Sequence, residues 1–220
     1  MQRAPWAAGL LFGVSLAVVV TLAGPLLLFN PWFTSALQTR HGVAGALSTT
    51  TPEIDRVTGE ILADLYLDGD FDAALSGDQP LLNERERSHM HDVAVLVRIL
   101  LGVLIMALVI GGIALAWLRR EPGRIGRIML VVGGVIGGVA IILAGVFAVA
   151  FEPAFLVFHE LFFPPGTYLF EPGSKLITLF PEGFWFDAAL AAGAAIVIAA
   201  LIVTLIGFRL WRRQAPPASA

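Results

Sequence analysis

The chain contains no cysteine. That excludes a disulfide framework, a thiolate nucleophile, a Cys-ligated metal or cluster, and acylation of the protein on a cysteine of its own. Charge is scarce as well: 14% of the 220 residues are Asp, Glu, Lys or Arg, against 57% hydrophobic. A water-soluble domain of this size cannot bury that much apolar surface, so lipid must be part of its solvent. No Gly-x-Ser-x-Gly or Ser-His-Asp arrangement is present, which removes the usual serine nucleophile. Asp68-Gly69-Asp70 opens like a calcium loop but lacks the later glycine and the closing glutamate, so it reads as a turn.

Four apolar runs remain, each long enough to supply the ~20 helical residues that cross a ~30 Å hydrocarbon layer. They cover roughly 6–29, 93–118, 128–151 and 188–210. The first is too long for the core of a secretory signal, and Pro25 directly follows the small-residue pair Ala23-Gly24 near its end, so it reads as a retained span. Arg119, Arg120, Arg124 and Arg127 crowd the link 119–127, Arg209, Arg212 and Arg213 follow the last run, and Arg3 precedes the first. Of the 17 acidic residues only Glu121 accompanies them. Positive residues at span ends stay in the cytoplasm, which puts both termini and the link inside. The expected fold is an all-α membrane protein of one integral domain, residues 1–220, with four transmembrane helices in the cytoplasmic membrane. Its outer segments, 30–92 and 152–187, hold all four histidines and pack over an outward-facing site.

In the first outer segment Asn30-Pro31-Trp32 reads as a turn. Thr51-Pro52 reads as an N-cap with proline at N1. Ile54, Val57, Ile61, Leu62 and Leu65 then mark an amphipathic helix, lying on the membrane or packed against the other outer segment. Asn83-Glu84-Arg85-Glu86 is a capping box, with Glu86 reaching back from N3. The helix it opens should run unbroken into the second span. Arg98, inside the apolar run, either snorkels to the headgroups or serves the site. In the third span Gly133, Gly134, Gly137 and Gly138 form two small-xxx-small pairs, and the alanine-rich start of the fourth fits the same contact. Glu152-Pro153 ends the third span and Pro164-Pro165-Gly166 breaks the chain again. Eleven of 22 aromatic residues fall between Phe151 and Phe186. Irregular backbone this apolar needs protein or a polar cavity around it. Asp187 reads as the N-cap of the fourth span.

His89 and His159 stand where spans meet these outer segments. Glu86, His89 and Asp92 step by three and share one helix face, and a carboxylate there holds one imidazole tautomer and raises its basicity. His91 lies about 160° away around the helix. It cannot chelate an ion together with His89, and it is expected near Arg98 on the opposite face, outside the chemistry. His159-Glu160 starts like the zinc motif H-E-x-x-H, but the second ligand position is Phe163 and the motif fails. Apolar surroundings keep the His159 imidazole neutral and able to accept a proton. Its plain alternative is a buried histidine bonded to a backbone carbonyl. Glu182 either orients a histidine or faces headgroups. With no nucleophile in sight, general acid–base chemistry on a lipid is the simplest reading. Two rivals stand beside it: a metal-dependent membrane hydrolase with His89, His159 and nearby carboxylates as ligands, and a non-enzymatic assembly or sensor protein using 30–92 as its binding surface.

The run Glu86-Arg87-Ser88-His89-Met90-His91-Asp92-Val93 resembles the Glu…His-x-x-Asp-Val signature of a four-span bacterial membrane family. Phe158-His159, followed by an aromatic-rich loop and Pro181-Glu182-Gly183-Phe184…Asp187, resembles its second signature. The family is that of the Lit-like lipoprotein intramolecular transacylases. The resemblance implies transfer of the sn-2 acyl chain of a diacylglyceryl-modified lipoprotein to the α-amine of its N-terminal cysteine, giving the lyso-form. It implies His89 and His159 as the essential histidines; beside it, the chemistry of the residues gives Glu86, Asp92, Glu182 and Arg98 as the expected supporting groups, with no metal or cofactor expected. The implied partners are diacylglyceryl-modified lipoproteins and membrane phospholipid, with no nucleic acid.

Overall fold

A computed structural model describes residues 5–75 and 79–213. Arg3 lies outside them. The described residues form α1 (Trp6–Leu28), α2 (Pro31–Arg40), α3 (Val43–Ala46), α4 (Thr51–Leu67), α5 (Glu84–Leu118), α6 (Pro122–Val149), α7 (Phe151–Phe162), α8 (Lys175–Leu179) and α9 (Glu182–Arg212), with no strand among them. Four of these, α1, α5, α6 and α9, are long and apolar enough to cross a membrane. The all-α reading with four spans therefore stands. The chain divides into two compact units, one of Met1–Pro25, Leu101–Ala144 and Ala192–Ala220, the other of Leu26–Leu100 and Gly145–Ala191.

The first unit consists of span helices. Ala8, Phe12, Ala114, Leu118 and Ile125 are buried together, while Leu10, Val109, Ile142 and Ile202 stay exposed as surface suited to lipid. α6 and α9 touch backbone to backbone: a Cβ at Gly126 would stand 2.7 Å from the Gly207 carbonyl oxygen, and one at Gly207 would stand 2.8 Å from that of Gly126. Of the two small-residue pairs expected in α6, Gly133 and Gly137 meet Thr204 and Ala200, whereas a Cβ added at Gly134 or Gly138 would meet no neighbouring element within 4 Å among the described residues. The alanine-rich start of α9 finds another partner, with Ala195 against Gly24 of α1. Gly207→Leu should therefore force α6 and α9 apart and cost about 1–3 kcal/mol. Gly138→Leu should leave thermal unfolding in the same detergent unchanged.

The second unit carries the histidines. α4 buries Ile54, Val57, Ile61, Leu62 and Leu65 against Val43, Leu47, Phe71, Leu82, Met90, Leu176 and Leu179. Its apolar face is spent on protein packing. The N-cap is Thr50 with Pro52 in the first turn, one residue earlier than the sequence suggests. Asn30 opens a helix where a turn was expected: its side chain accepts from the Phe33 N–H at 3.0 Å, with Pro31 in the first turn of α2. An Asn-Pro pair fits both roles, since proline there needs no N–H partner.

The largest departure concerns 151–162. The sequence suggests irregular backbone after Glu152-Pro153, yet these residues form α7, separated from α6 only at Ala150. Pro153 falls in the first turn, where an N–H would have no intrahelical acceptor, so it does not break the helix. Helical bonding satisfies the backbone without a surrounding cavity. α9 likewise starts at Glu182, which puts Asp187 inside the helix and not at its cap.

Candidate active site

Glu86 closes the capping box at the head of α5. Its N–H donates to Asn83 Oδ1 at 3.0 Å, and its Oε2 accepts from the Asn83 N–H at 2.8 Å. The other oxygen, Oε1, accepts from the Ser174 hydroxyl and from the Leu176 N–H at 3.2 Å. Glu86 is wholly buried. The carboxylate expected to orient His89 thus joins α5 to the start of α8, and none of its hydrogen bonds goes to the imidazole.

His89, one turn further along α5, is 6% exposed, and its Nδ1 is buried without a hydrogen-bond partner among the described residues. His159 of α7 lies over it, with ring centroids 6.0 Å apart and planes inclined by 25°. These two residues, 70 positions apart in sequence, are brought together. His159 Nδ1 is 2.8 Å from the Phe155 carbonyl oxygen. A carbonyl only accepts, so the proton sits on Nδ1 and the lone pair on Nε2. The backbone bond foreseen as the plain alternative is therefore present, and it also fixes the tautomer a base needs. Burial pushes the His159 imidazole below its ordinary range, partly countered by the Phe155 carbonyl. At neutral pH this ring is uncharged.

Aromatic rings enclose the pair. Phe163 lies 5.0 Å from His89 and 5.4 Å from His159, Phe170 lies 5.5 Å from His89, and Tyr168 lies 5.2 Å from His159. Phe155 packs at 4.3 Å and Phe158 at 5.5 Å against His159. Phe163, Tyr168 and Phe170 belong to the segment 163–174, which has no regular secondary structure. Arg85 holds that segment, donating to the Gly166 carbonyl at 2.8 Å and lying over the Phe170 ring at 5.9 Å.

The other predicted residues stand apart from the pair. Arg98 is bonded to Asp68 at 2.7 Å, with Nη1 buried and unpartnered. Asp92 is half-buried and Glu182 exposed, and neither side chain forms a hydrogen bond or ion pair among the described residues. His91 stacks edge-on to Phe71 at 5.0 Å. Among the described residues no three His, Asp or Glu side chains are grouped so as to hold a metal ion. A cavity of about 240 Å³ lies between α2 and α4, lined by Pro31, Trp32, Ser35, Gln38, Asp55 and Thr58, away from the predicted site residues.

Sequence reasoning missed two features. Arg40 Nε and His41 Nε2 both reach Asp187 Oδ2, at 3.2 and 2.9 Å, and fasten α2 to α9. No pattern links residues so distant in sequence. The Arg85 clamp was closer to hand, because Arg85 and Glu86 precede His89 by four and three residues and so share its side of α5.

The family model described as Lipoprotein intramolecular transacylase Lit matches residues 8–185. Structures of the membrane integral lipoprotein intramolecular transacylase Lit from Bacillus cereus share the fold. One has a TM-score of 0.83 at 20% identity, covering 94% of this chain and 96% of that one. A variant with a histidine changed to arginine gives 0.76 at 19% identity, over 94% and 92%. Another with a histidine changed to alanine gives 0.73 at 19% identity, over 94% of both chains. No curated protein matches the chain by sequence.

Proposed function

Because the chain belongs to the lipoprotein intramolecular transacylase Lit family, we propose that it moves the sn-2 acyl chain of a diacylglyceryl-modified lipoprotein to the α-amine of the same N-terminal cysteine. The observation that carries this reading is the stacked pair of His89 and His159 with its fixed tautomer. His159 Nε2, holding a lone pair, is the general base. His89 Nδ1 is buried without an acceptor, and orphaned donors are rarer than orphaned acceptors, so its proton belongs on Nε2. One ring then offers an acceptor and the other a donor.

The amine nitrogen attacks the sn-2 ester carbonyl and gives its proton to His159 Nε2. The oxyanion that forms takes a hydrogen bond from His89 Nε2–H. Collapse breaks the bond between the carbonyl carbon and the glyceryl oxygen, and that oxygen leaves with the proton returned from His159. An amide is formed and an alcohol is left, with no change in total composition. Amine and ester on one molecule gain a large effective molarity, so no acyl-enzyme is needed. The rings of Phe163, Phe170 and Phe155 keep water from competing. Arg98, held by Asp68, is left out of this scheme.

In this reading residues 1–220 act as one integral domain of the cytoplasmic membrane. Its termini and residues 119–127 face the cytoplasm, and the histidines face outward among phospholipid headgroups. Co-expression with a bacterial lipoprotein, followed by mass spectrometry of its N-terminal peptide, tests the activity. An N-acylated, S-monoacylglyceryl cysteine is expected, and a diacylglyceryl peptide with a free amine overturns the reading. A pH titration tests the base. Because burial lowers the His159 pKa, its imidazole, followed by NMR in the substrate-free full chain, should titrate below about pH 6.5, the value of an unperturbed imidazole, whereas the kcat profile also carries the substrate α-amine with its own pKa of about 8. An imidazole that titrates above about pH 6.5 contradicts the assignment.

A further inference from the structure

The segment 163–174 supplies three of the rings that touch the histidine pair, yet it has little internal support. It includes Pro164, Pro165 and Pro172, and Gly166 and Gly173 adopt φ of +82° and +91°. Its own backbone bonds are Thr167 N–H to Pro164 O at 3.2 Å and Ser174 N–H to Glu171 O at 3.1 Å. Its ends continue into the flanking helices, where the Phe163 N–H donates to the His159 carbonyl and Ser174 caps α8, and what holds it in between comes from α5. Arg85 fixes the middle through the Gly166 carbonyl and the Phe170 face. Glu86 fixes the end through the Ser174 hydroxyl and the Leu176 N–H. Both anchors lie one turn before His89 and on its side of the helix.

We infer that Arg85, Glu86 and Ser174 form a latch that closes the aromatic segment over the two histidines and so sets whether the acyl group passes to the amine or to water. These are positioning residues: none need touch the substrate. The inference rests on the transacylase reading, since only an enzyme choosing between two nucleophiles has a partition to control. When the latch opens, water takes the place of the amine. Its oxygen bonds to the sn-2 carbonyl carbon, the ester bond breaks, and the glyceryl oxygen leaves with a proton. The products are a free fatty acid and an S-monoacylglyceryl peptide whose amine is unmodified. The two outcomes differ in mass, because transfer yields an isomer of the substrate and hydrolysis removes one acyl chain.

The test uses the full chain in lipid nanodiscs, a synthetic diacylglyceryl lipopeptide and heavy-oxygen water. Glu86 is buried and its loss threatens folding, so the variants are Ser174→Ala and Arg85→Gln, alone and together. The ratio of heavy-oxygen fatty acid to N-acyl peptide is expected to rise about tenfold in the double variant. An unchanged ratio with slower turnover marks the contacts as purely structural and overturns the inference. Amide hydrogen exchange over 166–176 gives a readout independent of activity. It should quicken in the double variant while residues 93–100 of α5 keep their wild-type rate, and unaltered exchange over 166–176 overturns the latch. A wild-type protein that releases only fatty acid contradicts both the transacylase reading and the latch. A wild type that forms N-acyl peptide, with variants of the same partition, contradicts the latch alone.

Discussion

Replacing His159 by glutamine is expected to lower the rate of N-acyl product formation by about 100- to 10,000-fold, the usual contribution of a positioned general base. The physical case rests on the tautomer. With Nδ1–H committed to the Phe155 carbonyl at 2.8 Å, Nε2 is left to accept a proton. Glutamine keeps much of the bulk and a donor for that carbonyl, but it has no nitrogen lone pair able to take a proton at neutral pH. The partly exposed position and the surrounding rings of Phe155, Phe158 and Phe163 should preserve the fold. Initial rates with a lipopeptide, set beside the thermal midpoint of the same sample, check this. A His159→Gln protein within threefold of wild type would remove His159 from the chemistry. His89→Gln should also be impaired, chiefly through loss of the donor to the oxyanion.

The second large effect is on stability. Glu86→Ala strips an acceptor from the Asn83 N–H, the Ser174 hydroxyl and the Leu176 N–H in a place closed to water. Buried donors left without partners cost about 1–3 kcal/mol each, less where the site relaxes, so a total loss of roughly 2–4 kcal/mol is expected. In a chain of this size that corresponds to a fall of roughly 5–15 °C in the thermal midpoint. Asp92→Ala, on the same helix face but with no side-chain partner among the described residues, should shift it by no more than about 2 °C. Equal effects at the two positions would show that the Glu86 contacts contribute little. The comparison also separates two roles that the sequence could not, since Glu86, His89 and Asp92 share one spacing.

Much of the architecture was legible because it follows local rules. The four spans follow from apolar length, and the α5 start follows from Asn83 and Glu86 as a capping box. The buried face of α4 follows from its periodicity. Failures arose where one residue type serves two structures. Asn30-Pro31 fits a turn and a helix start alike, and Pro153 looked like a breaker when it falls in a first turn that tolerates it. At the site, the signature segments pointed to His89 and His159, and the structure stacks them. Which group each carboxylate meets was beyond a sequence reading. Glu86 turns to Ser174 and Leu176, and Asp187 turns to Arg40 and His41, because those partners come from remote parts of the chain.

The central claim is that the two histidines pass an sn-2 acyl chain to an amine on the same molecule. It is tested most directly with a lipopeptide whose sn-1 and sn-2 chains differ in isotopic label, incubated with the full chain in lipid nanodiscs and read by tandem mass spectrometry. The account predicts a product of unchanged total mass, with the sn-2 label on the cysteine nitrogen and the sn-1 label still on the glyceryl group. An sn-1 label on nitrogen, or an acyl chain drawn from a neighbouring phospholipid, would contradict it.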